Sequence, residues 1–455
     1  MLQVIDNFSI IVAKTAVEEA FVYELKQNLI SSIKVLNNCS VIAAVGESMS
    51  NSPGVSGIFF GALGKARINV LSISQGCDER NISAVVDGKD AARALKAVHS
   101  AFWLSSQILT IGVVGGTGKV GNALLQTLLD QLAILEDRFD INIQIRGVIN
   151  STKMIISDNL NSTLKNNLLS MARKSNASPI SPVRTKSSET LRRSNSNLSF
   201  EELTENGNID TPVPADIHEF FELFCQSPSP NIIMIDCSNS QEIAKLHPKW
   251  ILGGAHVITA NKRALSSSIE LYNEVFSATK LMNRSYLSEV TIGASVPVLT
   301  TLNDLLYSGD AIHSIVGLMS VSVGQVLTGI CDEGLSFSES ISRTHAAGLF
   351  EDDEFTDLEG IEAAQKLLIL ARALNVPLTL SEINVEPLAK KRHVESWKNC
   401  SKEFELEDKV FSERAKVARE NGCTLRYVQR IECSPPVELS PYSDTVLKVT
   451  IIIFS

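Results

Sequence analysis

The 455-residue sequence has no Cys-x-x-Cys pair, and its eight cysteines (Cys39, Cys77, Cys225, Cys237, Cys331, Cys400, Cys423 and Cys433) do not cluster with histidine. That scatter excludes a zinc knuckle and a disulfide framework, and it reads as reduced, intracellular and not metal-binding. Long hydrophobic runs are missing too. No apolar stretch reaches the ~18 to 20 residues that a membrane span requires. Positive charge is in deficit, with a formal net charge of −10, which argues against nucleic acid or an anionic membrane surface as the main partner. The N-terminus carries no basic leader and no Ser/Arg-rich transit stretch, because Met1 leads almost at once into an apolar strand. The expected compartment is the cytoplasm, with a plastid as the alternative if an address precedes Met1.

A hydrophobic content of 44% is enough for a large core spread over two or three domains. Val17, Phe21, Leu25, Leu29 and Ile33 recur every four residues and predict a helix over 15–33. From Cys39 the order is strand (40–45), helix (54–66), strand (68–74), strand (81–86), helix (90–102). A βαββα order makes a small α+β sheet domain. An apolar strand from Ile108 then runs into Gly116-Thr117-Gly118-Lys119-Val120-Gly121 and a helix. In this Gly-x-Gly-x-x-Gly turn Gly116 is expected to permit the turn and Gly118 to admit a pyrophosphate. Gly121 is expected to let helix and strand pack closely, with the helix N-terminus facing the phosphates. The hexapeptide is a weak signal alone and a stronger one between a clear strand and a clear helix.

The next strand, 142–149, ends in Asn150-Ser151-Thr152-Lys153. It offers no acid for a ribose 2′-hydroxyl, and a hydroxyl- and lysine-bearing end favours NADP(H) over NAD(H). Residues 155–215 are rich in Ser, Asn and Pro with a basic middle, and are expected to be a disordered insertion. Within it, Arg192-Arg193-Ser194 fits either a kinase site or a plain solvated linker. Two further buried strands end in polar groups, Asp236-Cys237-Ser238 and Asn261-Lys262. Strands alternating with helices predict a parallel, doubly wound sheet with ligand at the strand C-termini.

Downstream lies a carboxylate-rich turn feeding a helix, Glu351-Asp-Asp-Glu-Phe-Thr-Asp357-Leu-Glu-Gly-Ile-Glu362-Ala-Ala-Gln-Lys366. Glu362 and Lys366 share one side of a helix with almost no polar face. One reading is an exposed pair contributing about 0.2–0.5 kcal/mol. The other is a buried lysine answered by a carboxylate and tuned for proton transfer.

This stretch resembles the substrate loop and catalytic helix of homoserine dehydrogenases, Glu-Pro-Asp-Pro-x-Asp-Asp-Leu-x-Gly-x-Asp-x-x-x-Lys. Glu351, Asp357, Leu358, Gly360 and Lys366 match, Glu362 replaces an aspartate, and both prolines are absent. Val45-Gly-Glu-Ser-Met49, Pro53-Gly54-Val55 and Gln75-Gly76 resemble an ACT regulatory domain, the last one in bifunctional aspartokinase–homoserine dehydrogenases. The resemblance implies reduction of L-aspartate 4-semialdehyde to L-homoserine with NAD(P)H, and the reverse. It also implies Lys366 as the proton donor, Lys262 polarising the carbonyl, Glu351 and Glu362 on the substrate ammonium, and Asp357 ordering Lys366 or a water. Ser238 would touch the nicotinamide side, with Lys262 between cofactor and substrate. Gln75 would face an amino-acid effector, threonine in the family, or else be a plain strand-end cap. Glu289 with the carbonyls of Ile292 and Ala294 would hold a monovalent cation, or form a simple turn.

The implied α/β architecture is a partial N-terminal segment (1–33), an ACT-like α+β domain (34–104), a Rossmann-like domain (105–285) and a mixed α/β substrate domain (286–455) that forms a homodimer or larger homo-oligomer. Two departures stand out. The family's Ser-Gly-Thr-x-x-Tyr-Ile reads Ser320-Val-Ser-Val-Gly-Gln-Val326, so a Val321 side chain is expected in the substrate pocket. The family's aspartokinase domain, and the Gly-rich segment and helix that follow the apolar strand at 449–455 to complete the cofactor domain, are expected to be missing, and the lost wall to leave apolar surface exposed and one side of the dinucleotide site open. The alternative function is a catalytically impaired relative acting as an effector-binding or assembly module.

Overall fold

A computed structural model of the chain describes residues 19–27, 36–46, 49, 53–75, 80–102, 107–162, 164, 212–225, 231–350, 354–389, 404–437 and 446–454. Helix α1 (Val22–Lys26) is a described part of the helix expected over 15–33. The described residues form three sheets. The first is antiparallel, in the order β1-β3-β2, with β1 (Cys39–Val45), β2 (Val70–Gln75) and β3 (Asn81–Asp87). Alternation along β1 turns Ile42 inward and Val41 and Val45 outward. Helices α2 (Val55–Lys65) and α3 (Ala91–Ala101) close the core, packing Phe59, Leu63 and Val98 on Ile82, Ala84 and Val86.

The second sheet comprises β4 (Gln107–Val114), β5 (Ile141–Ile149), β6 (Lys153–Ile156), β7 (Val213–Pro214), β8 (Asn231–Asp236), β9 (Ala255–Thr259) and β10 (Tyr286–Leu287), in the order β10-β9-β8-β4-β5-β6-β7. Neighbours from β10 to β5 are parallel. Its helices are α4 (Lys119–Phe139), α5 (Ile217–Cys225), α6 (Gln241–Ala244), α7 (His247–Leu252), α8 (Arg263–Ser266) and α9 (Ile269–Met282). One apolar cluster packs α4, through Leu125 and Leu129, on Ile111, Val113, Ile145 and Val148. A second packs Phe220, Phe224, Trp250 and Val275 on Val114, Met234 and Val257. Helices therefore cover both faces, as the apolar strands require. β5 lies to one side of β4 and β8 to the other, so the order reverses at β4 and opens a crevice at its C-terminal end.

The third unit holds α10 (Val290–Gly293), α11 (Val298–Tyr307), β11 (Ile312–Gly317), α12 (Val321–Cys331), α13 (Phe337–Ala346), α14 (Glu354–Leu358), α15 (Ile361–Ala373), β12 (Asn384–Val385), α16 (Glu405–Glu420), β13 (Arg426–Val437) and β14 (Val446–Phe454). The four strands form a mixed sheet, β11-β13-β14-β12. Helix α15 lies in its core, with Leu367, Leu368, Ile369 and Leu370 fully or almost fully buried.

One expectation is corrected. The serine-rich insertion starts later than residue 155, because β6 pairs with β5, Leu160 and Leu164 are buried, and β7 returns to β6; residues 165–211 lie outside the described set. The closing apolar strand is built into the third unit. As β14 it lies between β13 and β12, with Val449, Ile451 and Ile453 buried in the core. The first unit also reaches the second: Arg67 Nη2 donates to the Lys280 carbonyl at 3.0 Å and Lys96 Nζ to the Cys225 carbonyl at 3.2 Å.

Candidate active site

The glycine turn sits at the crevice between β5 and β8. Gly115 carries the left-handed backbone, with φ 75, and a Cβ there would meet the Cys237 and Ser238 backbone at 3.1 Å. The tight turn thus belongs to Gly115 and not, as expected, to Gly116. Gly116 is small for another reason, since its Cβ would stand 2.4 Å from Val148 Cγ1. Gly121 does what its place predicts: a Cβ would lie 2.3 Å from the Gly115 carbonyl oxygen and 2.6 Å from Gly116 Cα. At Gly118, the N-cap of α4, a Cβ would meet only the Gly115 carbonyl oxygen at 3.4 Å, and Gly118, Lys119 and Val120 are exposed. An open backbone at the N-terminus of a long helix fits a dinucleotide pyrophosphate. Thr117 Oγ1 accepts from Asn150 Nδ2 at 3.2 Å, which ties the turn to the end of β5. Asn150 Oδ1 in turn accepts from the Thr152 and Lys153 backbone, both at 2.9 Å.

The ends of β8 and β9 are joined by one buried carboxylate. Asp236 Oδ1 accepts from the Ser238 N–H at 2.8 Å, and Oδ2 accepts from Asn261 Nδ2 at 3.0 Å. Oδ2 also lies 2.9 Å from His247 Nε2, while His247 Nδ1 lies 3.0 Å from the Tyr286 hydroxyl. Burial, and then the Asp236 charge, pushes the Tyr286 phenol far above its ordinary pKa. The same two causes push the Cys237 thiol up to about 12.

Lys262 follows Asn261 and is only 7% exposed. Its ammonium forms an ion pair with Glu362, itself 6% exposed, in the first turn of α15. The two residues are 100 apart in sequence and belong to different sheets' units. Glu362 is thus buried, and the cation that answers it is Lys262 of the cofactor-side unit, while Lys366 is half-buried. Helix α15 starts where it does because Gly360, at φ 77, caps it in the left-handed region, and a Cβ there would stand 2.3 Å from the Tyr427 hydroxyl. One turn on from Glu362, Lys366 Nζ donates to the Met319 carbonyl at 2.7 Å. Asp357, in α14, is buried beside this helix start.

At the far end of α15, Arg372 Nη1 donates to the Leu265 carbonyl at 2.6 Å and Nη2 to the Ser267 carbonyl at 2.8 Å. The Tyr272 hydroxyl returns a bond to the Arg372 carbonyl at 3.1 Å. Helix α15 is therefore held against the Lys262 segment at both ends.

The profile for homoserine dehydrogenase matches residues 297–451, that for the homoserine dehydrogenase NAD-binding domain matches 116–289, and an ACT-domain profile matches 42–102. The chain belongs to the homoserine dehydrogenase family. It is 33% identical over 438 residues to bifunctional aspartokinase/homoserine dehydrogenase 1, chloroplastic, of Arabidopsis thaliana, covering 94% of this chain and 44% of that one. With the bifunctional aspartokinase/homoserine dehydrogenase of Haemophilus influenzae it shares 30% identity over 424 residues, 92% of this chain and 47% of the relative. The chain thus spans less than half the length of these relatives. In fold it is similar to a Candida auris protein of unknown function, with a TM-score of 0.56 and 20% identity over 77% of this chain and 84% of that one. An Archaeoglobus fulgidus protein described as a homoserine dehydrogenase gives a TM-score of 0.52 at 19% identity, covering 76% and 83%.

Other residues expected from the family motifs fall in several places. Glu351 lies outside the described residues. Gln75 is exposed at the end of β2. Glu289 caps a helix. Its carboxylate accepts from the backbone of Leu299 and Thr300 and from the Thr300 hydroxyl, at 2.8, 2.9 and 2.6 Å, and so serves the N-terminus of α11. That uses three of a carboxylate's roughly four acceptor positions, which leaves little for a cation shared with the Ile292 and Ala294 carbonyls. Val321 is 72% exposed at the first position of α12. His247, Tyr286 and Arg372 escaped the motif reading. The only hint was composition, since each is a polar residue set in an apolar helix or strand.

Proposed function

We propose that this homoserine dehydrogenase family member catalyses the NAD(P)H-dependent interconversion of L-aspartate 4-semialdehyde and L-homoserine. The observation that carries the proposal is the buried Lys262–Glu362 pair, which brings the cofactor-side strand end against a helix that presents Lys366 one turn on. Bound reduced nicotinamide would supply a hydride to the aldehyde carbon. The alkoxide then takes its proton from Lys366, while Lys262 polarises the carbonyl. Glu362 and Glu351 hold the substrate ammonium, and Asp357 orders Lys366 or a water. The glycine turn, Thr117 and Ser238 orient the dinucleotide, so the protein contributes chiefly position and charge. The Asn150–Lys153 corner favours a 2′-phosphate, hence NADP(H).

The ACT domain binds an amino-acid effector near Gln75, threonine by family precedent, and the chain works as a homodimer or larger homo-oligomer. A monovalent cation at the Ile292 and Ala294 carbonyls is a minor part of this reading, with Glu289 lending at most its spare acceptor position. The compartment is the cytoplasm, or a plastid as in the chloroplastic plant relatives.

The test is NADP(H) binding by purified protein, followed by homoserine oxidation, with Gly118→Asp and Lys366→Ala alongside. The expected pattern is binding and turnover by wild type, no binding by Gly118→Asp, and binding without turnover by Lys366→Ala. Folded wild-type protein that binds no cofactor would defeat the enzyme reading.

A further inference from the structure

Asp236 is wholly buried, and a carboxylate in that setting is tolerated only when donors surround it. Two of its three donors belong to the loops that carry the cofactor-side residues. One is the N–H of Ser238, and the other is Asn261, the residue just before Lys262. Asn261 Oδ1 also accepts the Arg263 N–H at 3.0 Å, so the Lys262 backbone is bracketed on both sides. The third donor, His247, belongs to neither loop. It stands at the start of α7, with its other nitrogen on the hydroxyl of Tyr286 in β10. A carboxylate only accepts, so His247 Nε2 carries the hydrogen given to Asp236, and Nδ1 shares a hydrogen bond with the Tyr286 hydroxyl. Every member of the chain Tyr286–His247–Asp236–Asn261 is then satisfied. A fully satisfied buried network of this kind specifies one arrangement where an apolar core would tolerate several.

We propose that His247 is a positioning residue: by holding the Asp236 carboxylate in one orientation, with Tyr286 holding the ring, it sets where Ser238 and Lys262 stand at the ends of β8 and β9. The proposal rests on the dehydrogenase reading above. A purely architectural His247 would instead lower stability and leave the turnover of each folded site unchanged.

The test compares wild type with His247→Leu, His247→Gln and Tyr286→Phe in the full chain, reading kcat and KM for homoserine, Kd for NADPH, and thermal unfolding. In His247→Leu, kcat falls about tenfold or more, because small misplacement of reacting groups is costly, while Kd for NADPH changes less than about threefold. His247→Gln, which keeps an N–H for Asp236, recovers most of the loss, and Tyr286→Phe falls between wild type and the leucine variant. Values of kcat within about twofold of wild type in all folded variants, whatever the change in unfolding temperature, would overturn the proposal. If His247→Leu does not fold, the other two variants decide by the same measure. Wild-type protein that binds NADPH but leaves homoserine unchanged would sink the functional reading alone. The positioning claim is then judged on the emission of bound NADPH: a shift in the His247 variants supports it, and identical spectra in all proteins refute it. Wild-type protein that binds no NADPH refutes both.

Discussion

The two halves of the cleft are built from different materials. On the cofactor side the surface is backbone: Gly115, Gly116 and Gly121 leave no room for a Cβ, and Gly118 leaves the start of α4 open. On the substrate side the surface is charge: Lys262, Glu362 and Asp357 are all buried, and Lys366 is bound to a carbonyl. The first half is specified by what is missing from side chains, the second by side chains that are expensive to bury unless they meet. Damage to one should therefore leave a signature distinct from damage to the other.

Glu362→Gln is the severest test of the charged half. It leaves the Lys262 ammonium buried without its carboxylate, and stability should fall by about 3–5 kcal/mol, as is typical when one member of a buried pair is removed. Urea unfolding reads this directly, and surviving folded protein should still bind NADPH. Gly121→Ala breaks the other half. Its methyl cannot coexist with the Gly115 carbonyl, so NADPH affinity should drop by roughly 100-fold, about 3 kcal/mol, measured by fluorescence titration, with much less change in the charged half.

Arg372→Met tests whether the halves depend on the clasp between them. It strands the buried Leu265 carbonyl, at a cost of about 1–3 kcal/mol when unsatisfied, and frees the half-buried Ser267 carbonyl, and it should raise KM for homoserine more than Kd for NADPH. A larger effect on cofactor binding would show that the clasp serves the wrong half. The smallest effect is expected at Glu289→Gln, outside both halves, with a loss of about 1 kcal/mol, as for other helix caps. Burial pushes the Glu289 carboxyl up, but hydrogen bonds from Thr300, Leu299 and Val298 outweigh it and hold the group below its ordinary 4.5. Its contribution is therefore complete above the usual carboxylate range and fades as pH falls through the lower folded value. The variant should flatten the acid limb of a stability–pH curve, and an unchanged limb would contradict the capping role.

The backbone half was the more legible in sequence. A strand, spaced glycines and a helix are local signals, and they located the turn, although the left-handed position proved to be Gly115 and not Gly116, because only the fold brings Val148 and Cys237 alongside. The charged half was legible in its parts but not in its pairing. Glu362 and Lys366 announce one helix face, whereas the partner of Glu362 lies in another unit, and no local pattern encodes that meeting. Gly360 was found by motif, and its reason, the Tyr427 hydroxyl, comes from a strand far downstream. Glu289 was singled out by resemblance, with a simple turn as the alternative, and its service to the start of α11 depends on Leu299 and Thr300, ten and eleven residues on, which no motif announces. His247 and Tyr286 carry no motif, and their polarity acquires meaning only beside Asp236.

The Lys262–Glu362 pair has a consequence for how a ligand enters. A carboxylate that already has its cation is not waiting for charge. If an ammonium-bearing molecule arrives at Glu362, it does not create an ion pair but exchanges one. Such a ligand gains only the difference between its own contact and the one it displaces, so the resting pair sets a threshold that weakly held cations would not cross.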